Sequence, residues 1–258
     1  MVKIKDIYDY LDAIAPFSTQ AAYDNSGFLV GDINRHIRHI GVTLDITPQT
    51  LLAARRIGVE LIVSHHPVIF EARKSFKAGD MAFELASAGI AALCPHTSLD
   101  CAAGGVNDVL AELLDIDKPE PFPTAEYPAG MVRVGFLPMS GAEELAEHVS
   151  KMLCAPVRFC DGGREIETVA VCGGAGGSCL EEVIDAGIDA FITGDASHHH
   201  FLNAVQGGLT LIAAGHFETE NPVVPVLAEK LRQEFPDLEI SVLEQDIPVE
   251  TFFPDILR

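Results

Sequence analysis

Two adjacent histidines, His65 and His66, close the apolar run ELIVSHHP, and two acid–imidazole pairs follow: His96 with Asp100 in HTSLD, and His216 with Glu220 in HFETE. Imidazole nitrogens and carboxylate oxygens are ligands for divalent transition metals, and this donor set suits Zn, Fe, Mn, Co or Ni without ranking them. Neighbouring residues on a regular strand point to opposite faces. His65 and His66 therefore suit a single ion poorly unless the chain turns there, and suit two nearby ions well, one imidazole to each. Pro67 favours an extended or turning backbone at His66. A carboxylate can bridge two cations, which an imidazole cannot. His65, His66, Asp100, His216 and Glu220 thus form a candidate ligand set for two divalent ions per subunit, about 3.5–4 Å apart. Taken singly, Asp100 and Glu220 read equally well as helix caps or solvated loop acids.

His96 shares a short loop with Asp100 and is the candidate for proton transfer, with a structural role as the competing reading. Ser197-His198-His199-His200 reads as the solvated start of a helix capped by Asp195 or Ser197; the alternative is that one histidine lines the mouth of the metal site. The turn CGGAGGS, Cys172 to Ser178, resembles a phosphate-cradling loop but lacks the lysine of a P-loop.

These residues must be carried by strands, and an internal repeat supplies them. Gly41 to His66 aligns without a gap on Ala170 to Asp195, with identities at Val42/Val171, Leu51/Leu180 and Gly58/Gly187. Each copy holds an apolar strand, a turn, a helix, a glycine stop and a second apolar strand, which is a β-α-β unit with a right-handed crossover. Further on, GIAALCPHTSLD matches GLTLIAAGHFETE, superposing His96 and Asp100 on His216 and Glu220. The expected fold is α/β: two related three-layer halves with mostly parallel strands, residues 1–126 and 127–258, and the dimetal site between them. Ligands then fall beyond the carboxyl ends of strands, as in open α/β sheets. The proline-marked stretch from Asp117 to Gly130 is the expected connection between the halves. The C-terminal helix and the strand ISVLE either complete the second half or cross back to the first.

Composition narrows the partners. Thirty-eight acidic against seventeen basic residues give a formal charge of −21, which repels nucleic acid polymers. No apolar run approaches the ~20 residues of a membrane span. The N-terminal segment is an amphipathic helix with Ile4, Ile7, Tyr8, Leu11 and Ile14 on one side, not a secretory signal. The six cysteines form no C-x-x-C pair, and Cys94 and Cys172 lie in strand-like runs as reduced core thiols. A cytoplasmic protein is expected.

The segments DNSGFLVG (24–31), TLDIT (43–47), LIVSHHP (61–67), HTSLD (96–100), GGVND (104–108), TGDASHHH (193–200) and GHFETE (215–220) are together similar to the NIF-three-like dinuclear-metal-centre proteins. These are also called GTP cyclohydrolase 1 type 2 homologues. The resemblance implies a two-lobed α/β subunit in a toroidal homohexamer, and five metal ligands at the same five positions. It implies a metal-dependent hydrolase of a purine nucleotide, opening the guanine ring of GTP and releasing formate. A dimetal phosphoesterase and a non-catalytic metal-binding hexamer are the alternatives.

Overall fold

The computed structural model describes residues 1–245 and Val249, so the last residues of the expected second half lie outside the described residues. The chain begins with α1 (Ile4–Ile14), whose Ile4, Ile7 and Leu11 are buried, then β1 (Gly27–Val30) and β2 (His39–Thr43). Next come α2 (Pro48–Ile57), β3 (Leu61–Ser64), α3 (Met81–Ala88), β4 (Ala91–Cys94) and the short α4 (His96–Cys101). Local chemistry sets the boundaries of α2: Thr47 caps its first turn, Pro48 occupies the first helical position, and Gly58 ends it in the left-handed region at φ 76°.

After α5 (Val106–Leu113), the strands β5 (Asp117–Phe122) and β6 (Val132–Met139) open the second sheet. The stretch expected as a bare connection is thus partly an edge strand, where its prolines cost no ladder hydrogen bond from a neighbour on the open side. There follow α6 (Ala142–Leu153), β7 (Arg158–Cys160), β8 (Ile166–Cys172), α7 (Leu180–Asp185), β9 (Ala190–Thr193), α8 (His198–Gln206), β10 (Thr210–Ala213) and α9 (His216–Glu220). The chain closes with α10 (Val223–Glu234) and β11 (Glu239–Val242).

The first sheet has the order β1-β4-β3-β2-β11 and the second β5-β6-β8-β9-β10-β7. The repeat is visible in both: β2, β3, β4 and β8, β9, β10 are consecutive parallel neighbours, each trio flanked on its far side by an antiparallel edge strand, β1 or β7. Parallel pairing dominates the first sheet, whereas the second has antiparallel pairs at both margins, where β5, β6 and β7 join by return connections rather than crossovers. Both faces of each central strand are covered. Val63 and Leu93 pack against α1 and α10, while Ile62 and Ala92 pack against α2 and α3. In the second sheet, Val171 and Ile192 pack with α5 and α6, and Phe191 and Leu211 with α7 and α8. Burial on two faces explains the unbroken apolar runs.

The last elements cross back. β11 pairs in parallel with β2 of the first sheet, and α10 buries Val223, Val224, Leu227 and Leu231 in the first core. Reciprocally, α5 buries Leu110 and Ala111 in the second core. Arg133 of β6 is buried beneath this exchange; it pairs with Asp108 of α5 and donates to the carbonyls of Cys101 and Ala102, both at 3.1 Å. Among the described residues no helix is long and apolar enough to cross a membrane.

Candidate metal centre

The five candidate ligands meet at the carboxyl ends of β3, β4 and β10. The chain bends at His65 and His66, so both rings turn toward one site with centroids 5.0 Å apart. The backbone of that bend is held to the first sheet, His65 N–H donating to the Thr43 carbonyl (3.1 Å) and His66 N–H to that of Leu44 (2.9 Å). Asp100 and Glu220 each follow a histidine by four residues. The segment read as a loop around His96 and Asp100 is instead the helical turn α4, and α9 repeats it in the second half. A spacing of four on a helix stacks the two side chains on one face.

Two groups of donor atoms, each drawn together within 4.8 Å, divide these residues: His65, Asp100 and Glu220 form one, and His66, His216 and Glu220 the other. These two groups take one histidine of the pair each and share Glu220, while a third group joins both histidines to His96. Both ring nitrogens of His65, Asp100 Oδ1 and Glu220 Oε2 are buried with no hydrogen-bond partner. Glu220 Oε2 lies 2.9 Å from His66 Nε2 and 3.2 Å from His216 Nε2, but neither approach is aligned as a hydrogen bond. Close, misaligned donor atoms are what results when lone pairs aim at a common third centre. Leaving such groups buried and unpaired otherwise costs about 1–3 kcal/mol each.

The opposite edge of each outer imidazole is held by a carboxylate. Asp45 Oδ1 is 2.7 Å from His66 Nδ1, Asp195 Oδ2 is 2.7 Å from His216 Nδ1, and Asp24 Oδ1 is 2.6 Å from His96 Nδ1. This arrangement fixes ring orientation and presents Nε2 inward, as outer carboxylates do for metal-binding histidines. None of the three acids was picked out from sequence as a partner. A signal did exist: Asp45 precedes His66, and Asp195 precedes His216, by the same 21 residues, the length of one β-α-β step.

Burial and crowding displace these groups from their ordinary protonation ranges. Burial lowers His65 to about 4. Burial also disfavours the His66 imidazolium, but contacts with Asp45 and Glu220 outweigh it and raise His66 to about 10. Contact with Glu220 raises His216 to about 9 against its burial, with help from Asp195. Burial and the nearby Glu220 push Asp100 well above the usual carboxylate range, whereas Glu220, despite its burial, is held well below by the surrounding histidines.

The other candidates separate clearly. A ring nitrogen of His96 lies within 4.8 Å of ring nitrogens of both His65 and His66, so His96 faces the centre. His198 and His199 are exposed at the start of α8, where Ser197 accepts from the His200 amide (3.4 Å) as a cap. The glycine loop does not offer a phosphate cradle. Its amides at Gly173, Gly174 and Gly176 already donate to Asn107 Oδ1, Thr219 Oγ1 and Thr193 Oγ1. Its glycines permit close approach: a Cβ on Gly174, at φ +61°, would stand 2.0 Å from Glu220 Oε1 and 3.2 Å from His216 Nε2.

A two-lobed α/β chain with this convergent histidine–carboxylate centre has clear relatives. Residues 2–248 match the family model Duf34/NIF3 (NGG1p interacting factor 3), and the chain belongs to that family. A Clostridium acetobutylicum protein named GTP cyclohydrolase 1 type 2 homolog is 31% identical over 240 residues, covering 89% of this chain and 90% of that protein. Among solved structures, reduced HcgD from Methanocaldococcus jannaschii superposes with a TM-score of 0.81 at 29% identity, covering 95% of this chain and 98% of that one. A Bacillus cereus protein related to NIF3 gives a TM-score of 0.85 at 20% identity over 98% and 99% of the two chains, a likeness of fold.

Proposed function

We propose that the chain is a cytoplasmic dinuclear metal-dependent hydrolase in which His65, His66, Asp100, His216 and Glu220 hold two divalent ions. The observation that carries this reading is the pair of donor groups sharing Glu220, with buried lone pairs that no protein donor satisfies. Two divalent ions at such a site would supply Lewis acidity and activate water near neutral pH. The chain's own residues do the rest. Asp45 and Asp195 fix the rings of His66 and His216, burial of His65 excludes bulk water, and Asp24 orients His96. His96 is thereby equipped to take and return a proton at the nitrogen facing the centre.

The name shared by the relatives supports a purine ring of the GTP type as substrate, opened with release of formate. A homohexamer is proposed on family resemblance, and light scattering on the purified chain tests it. The function is tested by elemental analysis followed by a formate assay with GTP. Two metal equivalents per chain and formate release lost in His96→Ala are expected. Less than one equivalent after metal supplementation would overturn the dimetal reading, and a fully metallated protein releasing no formate would overturn the GTP version.

A further inference from the structure

A cavity of about 490 Å³ opens directly onto the centre, and its outer wall is aromatic: Tyr23, Phe70 and Tyr127, with Met131 beside them and His96 at its floor. Tyr23 and Phe70 are 49% and 46% exposed, so both leave ring surface open at the mouth of the cavity. They are held where they stand. The Tyr23 hydroxyl is 2.7 Å from that of Tyr127, which is itself buried, and Phe70 meets the His96 ring edge-on at 6.1 Å between centroids. Tyr23 and Phe70 lie 6.2 Å apart and tilted by 52°, too close for a third ring to slide between them. A ligand would lie against their exposed faces, with its edge toward the centre.

Charge narrows what that ligand can be. No lysine or arginine is among the described residues lining the cavity. Five carboxylates (Asp24, Asp45, Asp100, Asp195 and Glu220) belong to the centre or hold its histidines, against the four positive charges that two divalent ions would bring. No cationic side chain stands on the cavity wall to hold a polyphosphate. We infer that this cavity is a binding site for a planar heteroaromatic ring, and that recognition rests on the ring and not on any phosphate attached to it. This builds on the dimetal hydrolase reading and names what that site grips: a nucleobase or a similar flat nitrogen heterocycle, whose phosphates, if present, extend into solvent.

Equilibrium dialysis of the manganese-loaded full chain against guanosine, GMP and ribose 5-phosphate, with metal content measured in the same samples, tests the inference. Guanosine and GMP should bind within about threefold of each other, and ribose 5-phosphate at least tenfold more weakly. Tyr23→Ala and Phe70→Leu should each weaken guanosine about tenfold, the scale of a lost base–aromatic stack. Tyr23→Phe should stay within threefold of the parent. Ribose 5-phosphate binding as well as GMP, guanosine failing to bind, or guanosine binding unmoved in both ring variants would each overturn the inference. Metal content decides separately: its absence defeats the dimetal reading, while ring binding still answers for the cavity.

Discussion

Asn107 and Gly173 join the two halves at the base of the metal centre: the Gly173 amide donates to Asn107 Oδ1 over 2.7 Å, while the Asn107 amide donates to the Asp100 carbonyl over 3.2 Å. One buried side chain thus fixes the helix that carries Asp100 to the loop that passes beneath Glu220. Asn107→Ala should leave both backbone groups unsatisfied and cost about 1–3 kcal/mol of stability. Metal affinity should fall by about tenfold or more, as for lost outer contacts at other metal sites. Denaturant melts and competitive chelator titrations would measure the two effects. Unchanged metal affinity in a destabilised variant would reduce Asn107 to a purely structural tie.

The position of Glu220 in both donor groups makes the ligands unequal. Glu220→Ala should empty the whole site, whereas Asp100→Ala and His216→Ala should each lower metal content by about one equivalent. Elemental analysis of the three variants, supplemented alike, distinguishes them. A Glu220→Ala protein still holding two equivalents would contradict its shared role.

Gly174 is a sharper probe because its variant adds one methyl group. Gly174→Ala places a Cβ 2.0 Å from Glu220 Oε1 and also forces alanine into the left-handed region. Metal content should collapse while the far-ultraviolet circular dichroism stays that of the parent. Gly177→Ala, whose Cβ would meet only the His200 ring, should keep its metal.

Protonation gives a fourth outcome. The carboxylates beside them push His66 up to about 10 and His216 up to about 9, above the ordinary 6.5. Their stabilising ion pairs are therefore fully present below about pH 6.5 and are lost as pH rises through 9 to 10. The melting temperature of metal-free protein should fall across that window. Metal binding requires both rings neutral, so uptake at pH 8 should release protons, and apparent affinity should rise with pH toward 9. Calorimetry in buffers of different ionisation enthalpy reads the release directly; buffer-independent heats would show that the rings are already neutral.

Much of the candidate centre was legible in sequence because its histidines and carboxylates fall at regular spacings. His65 and His66 end a strand, and the two pairs four residues apart recur at matching places in a repeat, so periodicity alone brings them forward. The residues that escaped act through contacts with no local pattern. Asp24 reaches His96 across 72 positions, and Asn107 reaches Gly173 across 66. Gly174 escaped for another reason: a glycine loop suggests an anion site, and only the position of Glu220 shows that it is there to leave room. In the fold, the parallel trios followed from apolar runs and glycine stops. The antiparallel margins of the second sheet and the strand character of Asp117–Phe122 did not, since proline-rich, polar edge strands resemble connections.

The crossing of β11 back to β2 also has a temporal side. During synthesis the first sheet is the earlier product, yet its outer strand is completed only when Val242, about 200 residues after β2, has left the ribosome. Chains generally fold domain by domain from the N-terminus. Here the first half must wait, with one flank of β2 open, until the second half has been made. Neither half can be a finished product alone, and a chain cut between them should yield two partners that recover a metal centre only by finding each other.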